Sequence, residues 1–599
     1  MSAIAVVGAL TLSSCSDFLD AENKSGGQNA SDYFAAEKGQ TELLNSAYNS
    51  VKSVVTSTNL NTWGTDLYIE TRGKTVDDLQ NYSVSAENST VQSYYTNCYK
   101  LINYANGVIS FGGTGTNADA AKFLRCYGYY LLTQQFGGVP YITEYINSTN
   151  RNYPRENVEN VYNSCIAELE GIYNSANLPA TSTDGHINKR AIAALLSKFY
   201  LAKGWDLGTQ LTDAVSGSYT VNNTSDFQSA AKWAETAINN QSLSMSFEKK
   251  WSPFNEGNEE EIWSVQYDRA NYPGNVENGG HGLQNDFGCY YGQPDATSYK
   301  YSTSLKAPSR KALYLWEDKD ERYEATFMTK IYNATKNKDG KVNWGTEGYY
   351  AYYNCDQATL DTLHIGLRYF PATKTLAAAK NELAEHQAQY AKGAYVNTVQ
   401  AYIMSDPAVK FTFNAQTGAI SKTETKAYDA LAEEVYGSLT CKKWDDAATA
   451  QLQGNSSNDY RDIVIFHLSD MYLTAAEAYL LAGDDAKALS FVNAVRERSK
   501  ASTLTSFSNY YPAYTSNSVR PIDVILDERA RELWAENVRW TDLRRTKQLV
   551  NYNIAANKYI LSAADMSNHS GDIKWLRPIP AAEISSNDGI SSENQNPGY

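Results

Sequence analysis

The sequence predicts a mostly α-helical molecule, in which tetratricopeptide-like helix hairpins form a scaffold and a loop-rich insertion containing short strands is carried on it. Three observations predict this. Before about residue 250 and after about residue 460, apolar and small residues recur at i, i+3, i+4 and i+7, the spacing of a helix with one buried face. Between those regions the periodicity fades and Gly, Asn, Tyr and Pro crowd together. Late in the chain, two helical stretches are joined by Gly483-Asp484 alone, a turn of the kind that folds two helices against each other.

The elements follow in order. Leu43, Leu44, Ala47, Tyr48 and Val51 predict a first helix, and Tyr95, Cys98, Tyr99, Ile102, Ala105, Asn106 and Ile109 a second. A third runs from Asp119 to Phe136 and stops at Gly137-Gly138-Val139-Pro140, where glycine and proline end the helix and start an extended segment. Val158, Val161, Tyr162, Ile166 and Leu169 mark a fourth. A fifth spans Ala191 to Lys203 with Gly204 as its stop, and a sixth spans Phe227 to Asn239. In the middle region a helix is predicted only over Leu376 to Tyr390. In the late hairpin, Leu468, Tyr472, Ala475, Ala476 and Tyr479 face Ala486, Leu489, Val492 and Val495. No strict 34-residue period persists, so the hairpins are divergent copies rather than a regular solenoid.

Composition narrows the function. The 599 residues carry a net charge of −15 and no dense Lys/Arg run, which argues against a nucleic-acid binder and suits a neutral ligand. Tyr is abundant, 46 residues against 17 Phe and 11 Trp. Its ring offers a flat apolar face and its hydroxyl a hydrogen bond, which are the two things a sugar ring needs, although Tyr also fills helix interfaces. The seven cysteines, Cys15, Cys98, Cys126, Cys165, Cys289, Cys355 and Cys441, form no CxxC pair, so no zinc site is expected. Cys98, Cys126 and Cys165 lie on apolar helix faces as buried thiols, and disulfides among Cys289, Cys355 and Cys441 stay open.

Catalytic patterns are missing. Glu259, Glu260 and Glu261 are adjacent, so their side chains diverge in regular structure; Asp318, Asp320 and Glu321 precede Arg322 as an ion pair. The six histidines make no HExxH, and neither GxSxG nor a phosphate-cradling GxxxxGK occurs. Asp339-Gly340 alone does not make a calcium loop. Reversible binding is expected, with no enzyme activity, cofactor or metal.

At the N-terminus, Ala3 to Leu12 is an apolar run of ten, too short to span a bilayer and fitting the core of a signal peptide, although no Lys or Arg precedes it. Leu12-Ser13-Ser14-Cys15 resembles the lipobox of bacterial lipoproteins, in which cleavage leaves a cysteine carrying a diacylglycerol and an acyl chain such as palmitate. Several acyl chains anchor stably where one does not. The acidic stretch Ser16-Asp17-Phe18-Leu19-Asp20 resembles a surface-export signal.

Five segments then point to one family. They are YTNCYKLINYANGVI (95–109), AKFLRCYGYYLLTQQFGGVP (121–140), NEEEIWSVQY (258–267), DERARELWAENVRWTDLR (527–544) and the ending LRPIPAAEI…QNPGY. In this order and behind a lipobox, they resemble the SusD/RagB family of outer-membrane nutrient-binding lipoproteins. From the residues alone the motifs are structural. Glu528, Glu532 and Glu536 form an i, i+4 carboxylate row that repels itself unless Arg529, Arg531 and Arg539 sit nearby. The Pro-rich ending straps the tail across the helical body.

The resemblance implies a compact unit divided as 1–14 signal peptide, 15–37 lipidated tether, 38–270 N-terminal helical part, 271–460 variable insertion and 461–599 C-terminal helical part and tail. It also implies a shallow glycan site made by loops above the helices. The first loop offers Trp63, Asp66, Tyr68, Arg72, Asp77, Asp78 and Tyr82; the middle offers His281, Asn285, Tyr290, Tyr291, Trp344, Tyr349 and Tyr350. The implied partner is a SusC-like TonB-dependent outer-membrane transporter, and the implied place the outer membrane, facing outward. The rival readings are a peptide or other small nutrient on the same fold, a helical scaffold that binds only proteins, and a lipoprotein glycosidase with two facing carboxylates.

Overall fold

The computed structural model describes residues 30–71, 73–147, 149–268, 280–288, 306–317, 319–332, 349, 351–360, 365–389, 398–434, 436–446 and 459–599. The predicted N-terminal helices form at the predicted places: α1 (Glu37–Val55), α2 (Ser89–Ser110), α3 (Gly115–Phe136), α4 (Val158–Asn174), α5 (Lys189–Gly208) and α6 (Ser225–Ile238). Asparagines start several of them. The Asn88 side chain accepts from the backbone N–H groups of Thr90 and Val91, and Asn157 and Asn188 cap α4 and α5 in the same way, each satisfying donors that a helix start leaves unpaired.

Each of these helices packs on the next, and α6 then packs on α8 (Leu468–Ala482), more than two hundred residues later. Helix α8 pairs with α9 (Asp485–Arg498) through Gly483 in the left-handed conformation and Asp484 as N-cap. The hairpin scaffold is therefore continuous in space and interrupted in sequence. Ala488, Val492 and Val495 are the buried stripe of α9, whereas Ala486, assigned to that face from sequence, is exposed.

Gly204 does not end α5. The helix runs through it to Gly208, and a Cβ there would come within 2.8 Å of the Phe227 ring. The glycine permits close approach of α5 and α6 rather than a stop.

Helix α7 (Leu376–Gln389) lies inside a separate small unit. The strands are β1 (Tyr68–Ile69), β2 (Thr209–Asp213), β3 (Ser218–Val221), β4 (Glu261–Val265), β5 (Ala307–Pro308), β6 (Lys330–Tyr332), β7 (Ile365–Phe370), β8 (Thr398–Ile403), β9 (Ala408–Asn414), β10 (Ala419–Lys426) and β11 (Ile463–His467). Five of them form a sheet in the order β10-β9-β8-β7-β6. Only β7 and β8 are parallel, and α7 makes the crossover that a parallel step requires. The unit has its own core of Phe370, Leu383, Ala401, Phe411 and Phe413. It leaves and rejoins the body at one point, where Phe327 bridges Cys441 and the Met328 N–H donates to the Thr440 carbonyl at 3.0 Å. Strands β4 and β11 pair antiparallel and tie the two helical halves together.

Towards the C-terminus lie α10 (Pro521–Glu532), α11 (Arg539–Arg545) and α12 (Leu549–Ala556), and shorter helices complete the described residues. The carboxylate row read from sequence splits here. Helix α10 ends at Glu532, and Ala535 and Asn537 adopt positive φ, so Glu536 lies past the helix. Glu528 is held by Arg322 (2.7 Å), Arg531 (2.6 Å) and Arg496 (3.0 Å); Glu532 by Arg322 (3.2 Å) and Arg498; Glu536 by Lys443 (2.6 Å) and His467 (2.7 Å). Of the three arginines expected to neutralise the row, only Arg531 does. Arg529 pairs with Asp470 and Asp542, and Arg539 with Asp66. Arg322 also grips Asp320 at 2.7 Å, the pair expected from sequence, while Asp318 lies outside the described residues. Paired and hydrogen-bonded charges of this kind are costly to break, because each partner removed strands the other in the interior.

The tail crosses the body as expected. The buried Arg577 donates to the Leu60 carbonyl at 2.8 Å and lies over Trp540, while Asn596 donates to the carbonyls of Phe136 and Arg577. Cys98, Cys126 and Cys165 are buried free thiols; Cys15 and Cys289 lie outside the described residues.

Candidate functional site

The first predicted loop is mostly interior. Asp66 has no exposed surface, and its carboxylate accepts from Arg539 at 2.7 Å and Lys311 at 2.8 Å. Burial alone would raise its pKa, but the two cations hold it well below the usual carboxylate range. Tyr68 stacks on Trp534 and its hydroxyl accepts from the Ala535 N–H; the Tyr82 hydroxyl donates to the Gly64 carbonyl, and burial pushes its pKa up to about 12. Trp63 is buried with the Lys306 ammonium 5.6 Å from its ring centroid. These four side chains hold the fold and offer no surface to a ligand. In the middle region His281 is buried against Asp459 at 2.9 Å, and Tyr349 is buried with its hydroxyl on Asp445 at 2.7 Å, so both are also internal. Arg72, Tyr290, Tyr291, Trp344 and Tyr350 lie outside the described residues.

Asp78, Asp77 and Asn285 do reach the surface, and the structure brings their two loops together. Asn59 donates to Asp77 at 3.2 Å; Thr58 donates to Asp286 at 2.5 Å; and Lys306 donates to Asp286 at 3.2 Å and also reaches Thr58. The two loops meet through mutual polar contacts rather than across an aromatic face.

An aromatic-lined concavity lies next to it, between Ser246–Phe254 on the body and Ala351–Leu360 on the sheet unit. This cleft, of about 330 Å³, is lined by Trp251, Phe254, Tyr352, Tyr353, Lys442, Ser246, Ser252 and Gln357 among others. Phe254 is 65% exposed, while Tyr352 and Tyr353 are half-buried with rings nearly perpendicular (87°), forming a corner rather than a flat platform. The Tyr353 hydroxyl bonds Asp445 at 2.5 Å, fixing that ring. Behind the cleft, Trp251 packs edge-on against Trp444, which packs edge-on against His281, so one aromatic series links cleft and loop convergence.

The segment 437–446 organises both and was not singled out from sequence. It is buried throughout. The Cys441 N–H donates to the Phe287 carbonyl, the Lys442 N–H to Thr326, the Lys443 ammonium to Glu532 and Glu536, and the Trp444 indole to Ala535. Its Lys-Lys-Trp-Asp-Asp run reads as a solvated loop, and only its partners, scattered along the chain, reveal it as interior. Tyr352 and Tyr353 lie in the middle region where Gly, Asn, Tyr and Pro crowd together; Phe254 gives no signal beyond one aromatic in a loop.

In its chemistry the cleft is suited to holding a ring. It has apolar faces, hydroxyls, an amide and an ammonium, and among the described residues no pair of carboxylates faces across it. Among the described residues no group of His, Cys, Asp and Glu is placed to hold a metal ion, and no helix is long and apolar enough to cross a membrane.

Comparison with known proteins accords with this architecture. A family profile described as "SusD family" matches residues 259–599, and one described as "Starch-binding associating with outer membrane" matches residues 17–201. A curated relative, SusD-like protein P2 of Formosa agariphila, is 23% identical over 99% of this chain and 98% of its own. Among solved structures, a laminarin-binding SusD-like protein superposes with a TM-score of 0.60 at 20% identity, covering 94% of this chain and 99% of that one. The surface glycan-binding protein A of Bacteroides thetaiotaomicron, in complex with laminarihexaose, gives 0.57 at 16% identity over 92% and 98%. At these identities the structural likeness establishes the shared fold.

Proposed function

The chain belongs to the SusD family, and from that premise we propose that it is a non-catalytic receptor that binds a nutrient glycan at the cell surface and delivers it to a SusC-like TonB-dependent outer-membrane transporter. In this reading Cys15 carries the lipid anchor, the helical hairpins form the body that meets the transporter, and the glycan is held above them. The observation that carries the reading is the cleft of Trp251, Phe254, Tyr352 and Tyr353, formed where the loop-rich region meets the scaffold. A scaffold serving only protein partners has no need of such a cleft. The relatives whose descriptions name laminarin and laminarihexaose lend support, because they place sugar ligands on this fold.

The experiment is calorimetry of the purified protein against a glycan panel, repeated with Phe254→Ala. Phe254 is largely solvent-exposed, so its loss leaves the fold intact, and removing one stacking face is expected to weaken glycan binding about 3- to 10-fold. Phe254→Trp is expected to retain it, and Leu561→Ala, another highly exposed apolar residue, to change nothing. Glycan binding indifferent to Phe254→Ala would move the site elsewhere, and turnover of any glycan by the purified protein would sink the non-catalytic reading.

The peptide alternative is less well supported. Adding a peptide strand needs an open sheet edge, and the edge strand β10 carries Lys422, Glu424 and Lys426 with a register shift between Ser421 and Glu424, where Lys422 takes φ of 51°. Charge and irregularity of that kind discourage strand addition.

A further inference from the structure

One charged side chain in the cleft has no acceptor in contact among the described residues. The Lys442 side chain is only 6% exposed, yet among the described residues its ammonium makes no hydrogen bond or ion pair. Its one near neighbour is the face of Tyr352, 3.7 Å from ammonium to ring centroid. The carboxylates that act on it from a distance are Glu324, which is engaged by Arg368, Asp445, which accepts from Tyr349 and Tyr353, and Glu248, an exposed residue on the cleft rim. Burial nonetheless wins over these charges and pushes the Lys442 pKa down. The ammonium thus faces the cleft, partly desolvated and with an aromatic ring but no contact acceptor beside it. Close by, the indole N–H of Trp251 is also buried without an acceptor among the described residues. Of these two donors, the Lys442 ammonium is the charged one that lines the cleft, and an acceptor brought by a ligand would complete it.

We infer that the cleft selects a saccharide bearing a carboxylate, a uronic acid or similar acid sugar, with the carboxylate against the Lys442 ammonium and a ring against Phe254. This rests on the reading of the cleft as the glycan site. The chain's net charge of −15 disfavours a polyanion approaching from solution, so the ligand that fits is a largely neutral oligosaccharide with an isolated acid residue. A charge-assisted hydrogen bond in a partly desolvated cleft gives strong discrimination between the acid and its neutral counterpart.

The test uses matched pairs: xylo-, gluco- and galacto-oligosaccharides each carrying one glucuronic acid, beside the same molecules after reduction of the carboxyl to a primary alcohol. Titration calorimetry of the full chain is expected to give about tenfold tighter binding of the acid form on the backbone that fits. Lys442→Met is expected to erase that ratio, and Lys442→Arg to preserve most of it. Equal affinity of the wild-type chain for both members of a pair, or a ratio that survives in Lys442→Met, overturns the inference while leaving glycan binding intact. If the wild-type chain binds a glycan and Phe254→Ala is without effect on it, the reading of the cleft falls and the inference with it. Because the wild-type ratio is itself a readout, the test does not depend on the variants folding.

Discussion

Asp66 shows how far a residue's chemistry can be read without its neighbours. Between Trp63 and Tyr68 it looks like part of a sugar site, since aromatic rings beside a carboxylate are what such a site contains. The same mixture builds a buried ion pair, and what decides between the two is Arg539, which lies 473 residues away in sequence and 2.7 Å away in the fold. Local composition cannot carry that information. Asp66→Asn leaves Arg539 and Lys311 short of a buried counter-charge and is expected to cost about 3–5 kcal/mol, read as a lower urea midpoint with unchanged slope. Little or no loss would mean that the pair is solvated and that Asp66 is available to a ligand after all. The exposed residues of the cleft are the opposite case. Phe254 contributes nothing to any periodic pattern, so nothing in the sequence marks it.

At the scale of elements, periodicity located α1 to α6 and the α8–α9 hairpin, because a helix that buries one face must repeat its apolar residues along it. It failed where backbone conformation overrides side-chain pattern. The i, i+4 carboxylates Glu528, Glu532 and Glu536 read as one helix, but the left-handed residues Ala535 and Asn537 break it. Gly204 reads as a stop, but the glycine faces a ring rather than a turn. The β4–β11 pair carries a pH-dependent weakness. Burial, with Asp462 beside it, raises Glu261 to about 7, and one of its oxygens has no partner. The folded chain thus holds a proton there that the unfolded chain has released, so this contribution is full below about pH 4.5 and is lost as pH rises through about 7. Glu261→Gln keeps the shape without the charge. It is expected to stabilise the protein at pH 8 by about 1–3 kcal/mol and to leave it nearly unchanged at pH 5. Thermal unfolding of both proteins across that range measures it, and parallel curves would refute the assignment.

For the whole molecule, the fold class was legible because it depends on repeating patterns, whereas the joining of distant halves was not. The stacking of α6 on α8 and the gathering of Arg322, Arg496, Arg498 and Arg531 around Glu528 and Glu532 are long-range facts. This shared ion network predicts how the molecule fails in acid. Burial works against Asp66, Asp470, Glu528 and Glu532 ionising, but neighbouring cations hold all four far below the usual range, and Arg368 holds Glu324 down to about 2. Depressed carboxylates stabilise the fold above their unfolded pKa values and lose that contribution as pH falls toward the folded ones. Near-ultraviolet circular dichroism is expected to hold steady down to about pH 4.5 and then collapse cooperatively by about pH 2.5, opposite in sign and separate in range from the Glu261 effect. A gradual loss starting above pH 5 would mean that the network is not what closes the molecule.

The bridge between Phe327 and Cys441 has one more consequence. The chain between them departs and returns at neighbouring positions; part of it folds around its own core, and part, including Leu367, Tyr369, Tyr402, Met404 and Tyr428, packs into the core of the body. The entropy of closing a loop grows only logarithmically, about 0.6 kcal/mol for each doubling of length. Changes of length confined to the part with its own core come at small thermodynamic expense, whereas the residues packed into the body must be kept. Because the chain between Phe327 and Cys441 carries Tyr352 and Tyr353 while Trp251 and Phe254 stay on the scaffold, the two jaws of the cleft come from separate stretches of chain. Such a division lets a lineage, or an engineer, retune what is grasped without renegotiating the frame that does the grasping.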